Sequence, residues 1–165
     1  MSCNFCCNFV PMRLLSLVLV LGTLFTACEP LGVFEQQAFF PKAVWSAQNK
    51  PRFQFQVADT TARYHLFAVI RHNDAYRYNN IWVRFTTKAP GDTLRQQLVS
   101  LKLADNKKGW LGTGMDDVYE QRVRLSPQPL KLKAGVYVFN LEQMMRDEPL
   151  TGILQAGIRL EKLVP

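Results

Sequence analysis

Past residue 28 the sequence contains no cysteine. That excludes disulfides and thiolate metal sites from the rest of the chain, so a packed core must hold the fold. Only two histidines occur, His65 and His72, too few for a histidine-rich metal centre. Ser46, Ser100 and Ser126 are the serines of that portion, and none sits in a G-x-S-x-G elbow. No acidic residue precedes Glu29. No apolar run reaches the length of a membrane-spanning helix; that from Leu14 to Phe25 has only about 12 residues. Basic residues never stand more than two in a row, so no polybasic arm for nucleic acid is present.

What is present begins with that short apolar run. Arg13 precedes it and Thr26-Ala27-Cys28 closes it, the order of an export signal. Two small residues ahead of a cysteine match the lipobox of bacterial lipoproteins, in which the thiol receives a diacylglycerol. Phe25 stands where Leu is commonest. Cys28 is therefore expected to be the lipidated first residue of the mature chain. Residues 1–27 read as a lipoprotein signal peptide, 28–38 as lipidated N-terminus and tether, and 39–165 as one folded domain. Met12 is the better start, because it puts Arg13 directly after the initiator. Cys3, Cys6 and Cys7 lack the further ligands that a metal site needs, and read as leader. Acyl chains on Cys28 would anchor the domain to a membrane without spanning it.

Cleavage before Cys28 leaves all 13 acidic and all but one of the 20 basic side chains, a net charge of about +6. Export argues against nucleic acid as the partner. An anionic surface fits better, although scattered cations also serve ordinary solubility.

At 48% hydrophobic and 20% charged, with nine glycines and nine prolines, the composition is that of a turn-rich globular domain. Phe39, Phe40 and Trp45 are expected to pack onto it. Phe53, Phe55 and Val57 alternate with glutamines, the pattern of a half-buried strand. Tyr64 to Arg71 is apolar on both faces and suits a central strand. Ile81 to Phe85, Val118 to Leu125, Val136 to Leu141 and Ile153 to Leu160 read as further strands. Leu94 to Leu103 reads as one whose phase slips at a bulge. A short helix is expected over Glu142 to Asp147. Turn signals at Asn73-Asp74, Asn79-Asn80, Pro90-Gly91-Asp92 and Ser126-Pro127 separate the runs. The expected fold is all-β, a single antiparallel β-sandwich of jelly-roll-like form.

Candidate chemistry is sparse. His72 and Asp74 could pair as base and orienting group, but at that spacing they read as capping partners at a turn. His65 reads as a structural histidine within a strand. Gly109-Trp110-Leu111-Gly112-Thr113-Gly114 lacks the Lys-Ser/Thr ending of a phosphate loop, and reads as a glycine loop with Trp110 plugging the sandwich end. Asp105, Asn106, Asp116 and Asp117 offer hard oxygens for calcium, without EF-hand spacing. Tyr76, Tyr78 and Trp82, near Arg71, Arg77 and Asn79, could stack on a sugar or centre a protein interface.

Several of these residues recur in a known pattern. It comprises Asp59-Thr60, Val69-Ile70-Arg71-His72-Asn73 with Tyr76, Tyr78, Asn79, Asn80, Ile81 and Trp82, then Asp92-Thr93-Leu94 and Leu103-Ala104-Asp105. Gly109-Trp110-Leu111-Gly112 with Asp117-Val118-Tyr119 follows, then Gly135, Tyr137, Phe139, Glu142 to Arg146, Pro149-Leu150 and Gly157 to Lys162. In order and spacing the chain resembles the gliding-motility lipoproteins of the GldH type, found in Bacteroidota. The resemblance implies an outer-membrane lipoprotein that supports partner lipoproteins of the motility and type IX secretion machinery, with no catalytic residue and no cofactor. After Cys28, Glu29-Pro30-Leu31 is no obvious surface-export signal, so a periplasm-facing domain is expected. Arg71, Tyr76, Tyr78, Trp82, Trp110, Asp117 and Tyr119 are the expected partner contacts. The alternative is a glycan- or peptidoglycan-binding sandwich using Tyr76, Tyr78, Trp82 or Trp110 as platforms.

Overall fold

A computed structural model describes residues 33–163. The expected signal peptide, Cys28 and the first part of the expected tether lie outside the described residues. Eight long strands build the domain: β1 (Val33–Phe39), β3 (Arg52–Val57), β4 (Arg63–Asn73), β5 (Asn80–Lys88), β6 (Arg95–Lys102), β10 (Val118–Arg124), β12 (Gly135–Gln143) and β14 (Ile153–Leu163). Short ladders fill the connections: β2 (Val44–Trp45), β7 (Ala104–Asp105), β8 (Gly109–Trp110), β9 (Thr113–Met115), β11 (Leu130–Lys131) and β13 (Leu150–Thr151).

The strands form two sheets, one ordered β1-β14-β4-β10-β9 with β11 beside β4, the other β3-β12-β5-β6. The pairing is nested. β1 pairs with β14, β3 with β12, β4 with β10 and β5 with β6, all antiparallel. Rolling such a nested set of strands closes the jelly roll that the alternating runs lead one to expect.

Alternation explains the core. In β3, Phe53, Phe55 and Val57 are buried while Arg52, Gln54 and Gln56 are exposed. Ile81, Val83 and Phe85 of β5 and Tyr137, Phe139 and Leu141 of β12 complete the inner face of that sheet. Leu66, Ala68 and Ile70 of β4 and Ile158 and Leu160 of β14 face them. Phe55 joins the layers, its ring 5.0 Å from Phe34 of the other sheet and 5.2 Å from Phe139 of its own. Val69 is also fully buried, so central strand β4 is covered on both faces as its composition implies.

Four expectations need correction. No helix forms at Glu142–Asp147. β12 runs to Gln143, whose side chain then accepts from Met145 N at 2.8 Å and donates to Glu148 at 2.8 Å. These bonds satisfy the turn, whereas a helix so short could not repay its nucleation. Leu94–Leu103 contains no bulge: β6 keeps one register against β5 from Thr87↔Arg95 to Asn80↔Lys102. Leu98 faces solvent on this edge strand, 58% exposed, while Leu101 is fully buried; the register shift lies in β14, between Ile153 and Gln155. The folded domain starts before residue 39, because β1 takes up Val33 to Phe39 against β14. Finally, Phe40 and Trp45 are buried and stacked at 4.7 Å, but Phe39 is 73% exposed.

The registers give the domain two distinct ends. The β3–β4, β5–β6 and β10–β12 connections lie at the end where β1 starts and β14 stops, called the lower end below. The β1–β3, β4–β5, β6–β10 and β12–β14 connections gather at the upper end.

Candidate functional site

His72, at the end of β4, is the hub of the upper end. Its side chain continues the inward row of Leu66, Ala68 and Ile70, and it is fully buried. Trp110 lies over its ring at 4.4 Å, Tyr119 stacks on it at 5.6 Å, and Tyr76 packs at 5.8 Å. Nδ1 lies 3.3 Å from the carbonyl of Asn73, and Nε2 has no protein partner. Burial in this apolar shell pushes the imidazole pKa down, so the ring is held neutral.

Each aromatic is itself fixed. Trp110 Nε1 donates to Asp74 at 3.0 Å. Asp74 thus orients Trp110 and does not cap His72, which corrects the capping-pair expectation. Tyr76 is 2% exposed and its hydroxyl donates to the Asn80 carbonyl at 2.8 Å. Burial first, then the Tyr78 and Asp147 charges, raise its pKa far above the usual phenol value. The Tyr78 hydroxyl donates to Asp147 at 2.6 Å, tying the β4–β5 connection to the β12–β14 connection, and that bond raises the Tyr78 pKa. Tyr119 lies flat on Gly114, where an added Cβ would stand 2.7 Å from the ring. The glycine loop is therefore a seat for aromatic rings, with positive φ at Gly109 (75°) and Gly112 (88°) as the loop reading expects.

The expected contact residues thus divide. Tyr76, Tyr78, Trp110 and Tyr119 come together around His72. Arg71 and Asp117 meet on the outer face of the same sheet, where they line a groove of about 410 Å³ with Met115, Asp116, Glu120 and Arg122. Trp82 stands apart: it points outward from β5 on the other sheet and is 42% exposed. Sequence reasoning missed His72 as the hub because β4 was expected to stop at Arg71. Extending its alternation by one residue would have placed His72 inward.

The calcium reading gains no ligand set. Asp105 is committed to Lys102 at 2.7 Å and to the Lys107 N–H at 3.0 Å, and these bonds hold its carboxyl below the usual range. Asn106 accepts from Asn79 at 2.7 Å. Among the described residues no three His, Cys, Asp or Glu side chains converge.

One apolar cleft of about 320 Å³ opens between the sheets toward the lower end, floored by Leu66, Phe85, Tyr137 and Leu160 with Arg95 and Gln97 at its rim. No nucleophile and base pair within it: Ser126 is buried and accepts from Leu66 N at 3.3 Å.

Fold and site together define an all-β jelly-roll domain whose upper-end loops are locked around a neutral histidine and four aromatic side chains. The chain belongs to the GldH lipoprotein family, whose model matches residues 32–160. It is 27% identical over 146 residues to "Gliding motility lipoprotein GldH homolog" of Christiangramia forsetii, covering 84% of this chain and 89% of that protein. It is 25% identical over 153 residues to "Gliding motility lipoprotein GldH" of Flavobacterium johnsoniae, covering 88% and 94%. Among solved structures, dimeric latent PorU from Porphyromonas gingivalis aligns with 81% of this chain and 13% of its own. That alignment has 12% identity and a TM-score of 0.33, a superposition too loose to define a shared fold.

Proposed function

We propose that this chain is a lipid-anchored envelope protein that serves gliding motility by holding partner proteins, without catalysing a reaction. Two relatives spanning most of its length carry gliding motility in their names. The observation that carries the non-enzymatic part is the state of His72: this candidate base is buried, neutral and sealed under Trp110 and Tyr119. A group in that position packs loops and cannot reach a substrate. The loops it fixes, with the Arg71–Asp117 groove on their flank, form a firm surface suited to another protein. Acyl chains on Cys28 hold the domain on a membrane, in this reading the outer membrane with the domain facing the periplasm, where lateral confinement raises its effective concentration toward other motility and type IX secretion components.

The glycan reading needs flat rings open to solvent. Tyr76 is buried, Tyr78 is bound to Asp147 and Trp110 is half-buried on His72. Trp82 alone keeps an exposed face.

The test is complementation of a strain lacking the gene. Cys28→Ala is expected to leave the fold intact and abolish gliding, by releasing the domain from the membrane. Full complementation by a soluble, exported version contradicts the anchored reading.

A further inference from the structure

Charge is divided unequally between the two ends of the sandwich. At the lower end, Arg63, Lys88, Arg95, Arg124 and Lys131 are exposed and have no acidic partner among the described residues. Two other lysines there are neutralised, Lys133 by Asp92 at 3.2 Å and Lys162 by Asp59 at 2.6 Å. The upper end carries no such excess. Its exposed cations Lys42, Arg77, Lys107, Lys108 and Arg146 form no ion pair among the described residues either, but they stand among the carboxylates of Asp74, Asp116, Asp117, Asp147 and Glu148, and Lys50 and Lys102 are paired with Glu142 at 2.6 Å and Asp105 at 2.7 Å.

The free cations are close neighbours by register. Lys131 stands opposite Arg63, and Arg95 stands opposite Thr87, next to Lys88. The Arg124 guanidinium lies over Phe67, 5.5 Å from the ring centroid. Beside Arg95 an apolar side chain is left in water: Leu94, 54% exposed.

The lower end is also where the chain enters the domain, because Val33 opens β1 opposite Glu161. Four residues separate Cys28 from Val33, five Cα steps with a reach of at most about 18 Å when fully extended. So short a tether keeps the start of β1 within about 18 Å of the lipidated residue.

We propose that the lower end is a membrane-docking surface, in which Arg63, Lys88, Arg95, Arg124 and Lys131 engage the phosphates of anionic phospholipids and Leu94 enters the interface. It rests on the anchor proposed above. Anchor and cations have separate roles: acyl chains retain the protein on the membrane, whereas the cations set its orientation. Docking in this way directs the aromatic upper end away from the bilayer, toward partner proteins. Each cation near an anionic surface contributes about fivefold to partitioning, so removing three of them costs on the order of 100-fold.

The experiment places the mature lipidated protein in vesicles of phosphatidylcholine alone, or of phosphatidylcholine and phosphatidylglycerol in equal parts. An environment-sensitive dye is attached through Leu94→Cys or, as an upper-end control, through Lys108→Cys, and acrylamide is the quencher. Dye at 94 is expected to be shielded on anionic vesicles only, and to lose its shielding in high salt or in the triple variant Lys88→Glu, Arg95→Glu, Lys131→Glu. Dye at 108 is expected to stay open throughout. Equal quenching at 94 on both vesicle types, or shielding that survives the charge reversal, overturns the proposal. Flotation with neutral vesicles reports the anchor separately. If the chain proves unlipidated, its flotation with anionic vesicles still tests the lower end, and failure to float with them overturns the docking surface.

Discussion

At the scale of single residues, His72 makes the most direct claim. It is fully buried against Trp110, Tyr119 and Tyr76, and its pKa lies below that of an unfolded histidine, about 6.5. The unfolded chain therefore takes up the proton first, and stability falls as pH drops through about 6.5 toward the lower pKa of the folded state. Melting temperature against pH is expected to show that decline, and His72→Phe, which keeps a ring but cannot titrate, is expected to flatten it. A second residue-scale claim concerns Gly152. It has φ of 86°, and a Cβ there would run into the backbone of Tyr76. Gly152→Ala is expected to cost about 2 kcal/mol in urea unfolding, from left-handed strain together with that clash. The His72 role was legible in the period-two pattern once one more residue was counted. The partner of Asp74 was not, because Trp110 comes from a connection 36 residues further along the chain.

At the scale of elements, most strands could be read from the sequence because each has one wet and one dry face. Phe53, Phe55 and Val57 against Arg52, Gln54 and Gln56 leave no other reading. Pairing was beyond reach, since alternation names the face of a strand and not its neighbour; β1 meets β14 across nearly the whole domain. Leu98 misled for a related reason: on an edge strand an apolar residue can face water without penalty large enough to break the ladder. The expected helix failed because Gln143, Met145 and Glu148 exchange side-chain bonds that no period reveals. The aromatic inner face of the β3-β12-β5-β6 sheet centres on Phe139, whose ring lies 5.2, 5.4 and 6.4 Å from those of Phe55, Phe85 and Tyr137. Phe139→Ala is expected to lower unfolding free energy by about 3–5 kcal/mol by chemical denaturation. A loss under about 1 kcal/mol would place the core elsewhere.

At the scale of the molecule, the domain has two ends with different chemistry. The lower end carries cations with few carboxylates among them and the start of β1, whereas the upper end mixes both signs around the interlocked loops at His72. Composition showed the basic surplus but could not show where it lies, because the cations are scattered in sequence and only strand register gathers them. Cys28→Ser is expected to move the protein from the membrane to the soluble fraction while leaving its melting temperature unchanged, since residues of the strands from Val33 onward build the described core. A fall in melting temperature would show that the N-terminal segment contributes to the fold.

The central claim is that the upper end meets partner proteins of the motility apparatus. Photo-crosslinking in intact cells tests it most directly, with a crosslinker placed at Lys108 or Met115 at the upper end and at Leu94 at the lower end, followed by purification and mass spectrometry. The account expects motility or secretion proteins from the two upper positions and lipid from the lower one. Recovery of cell-wall glycan alone from the upper positions, or the same proteins from all three, would contradict it.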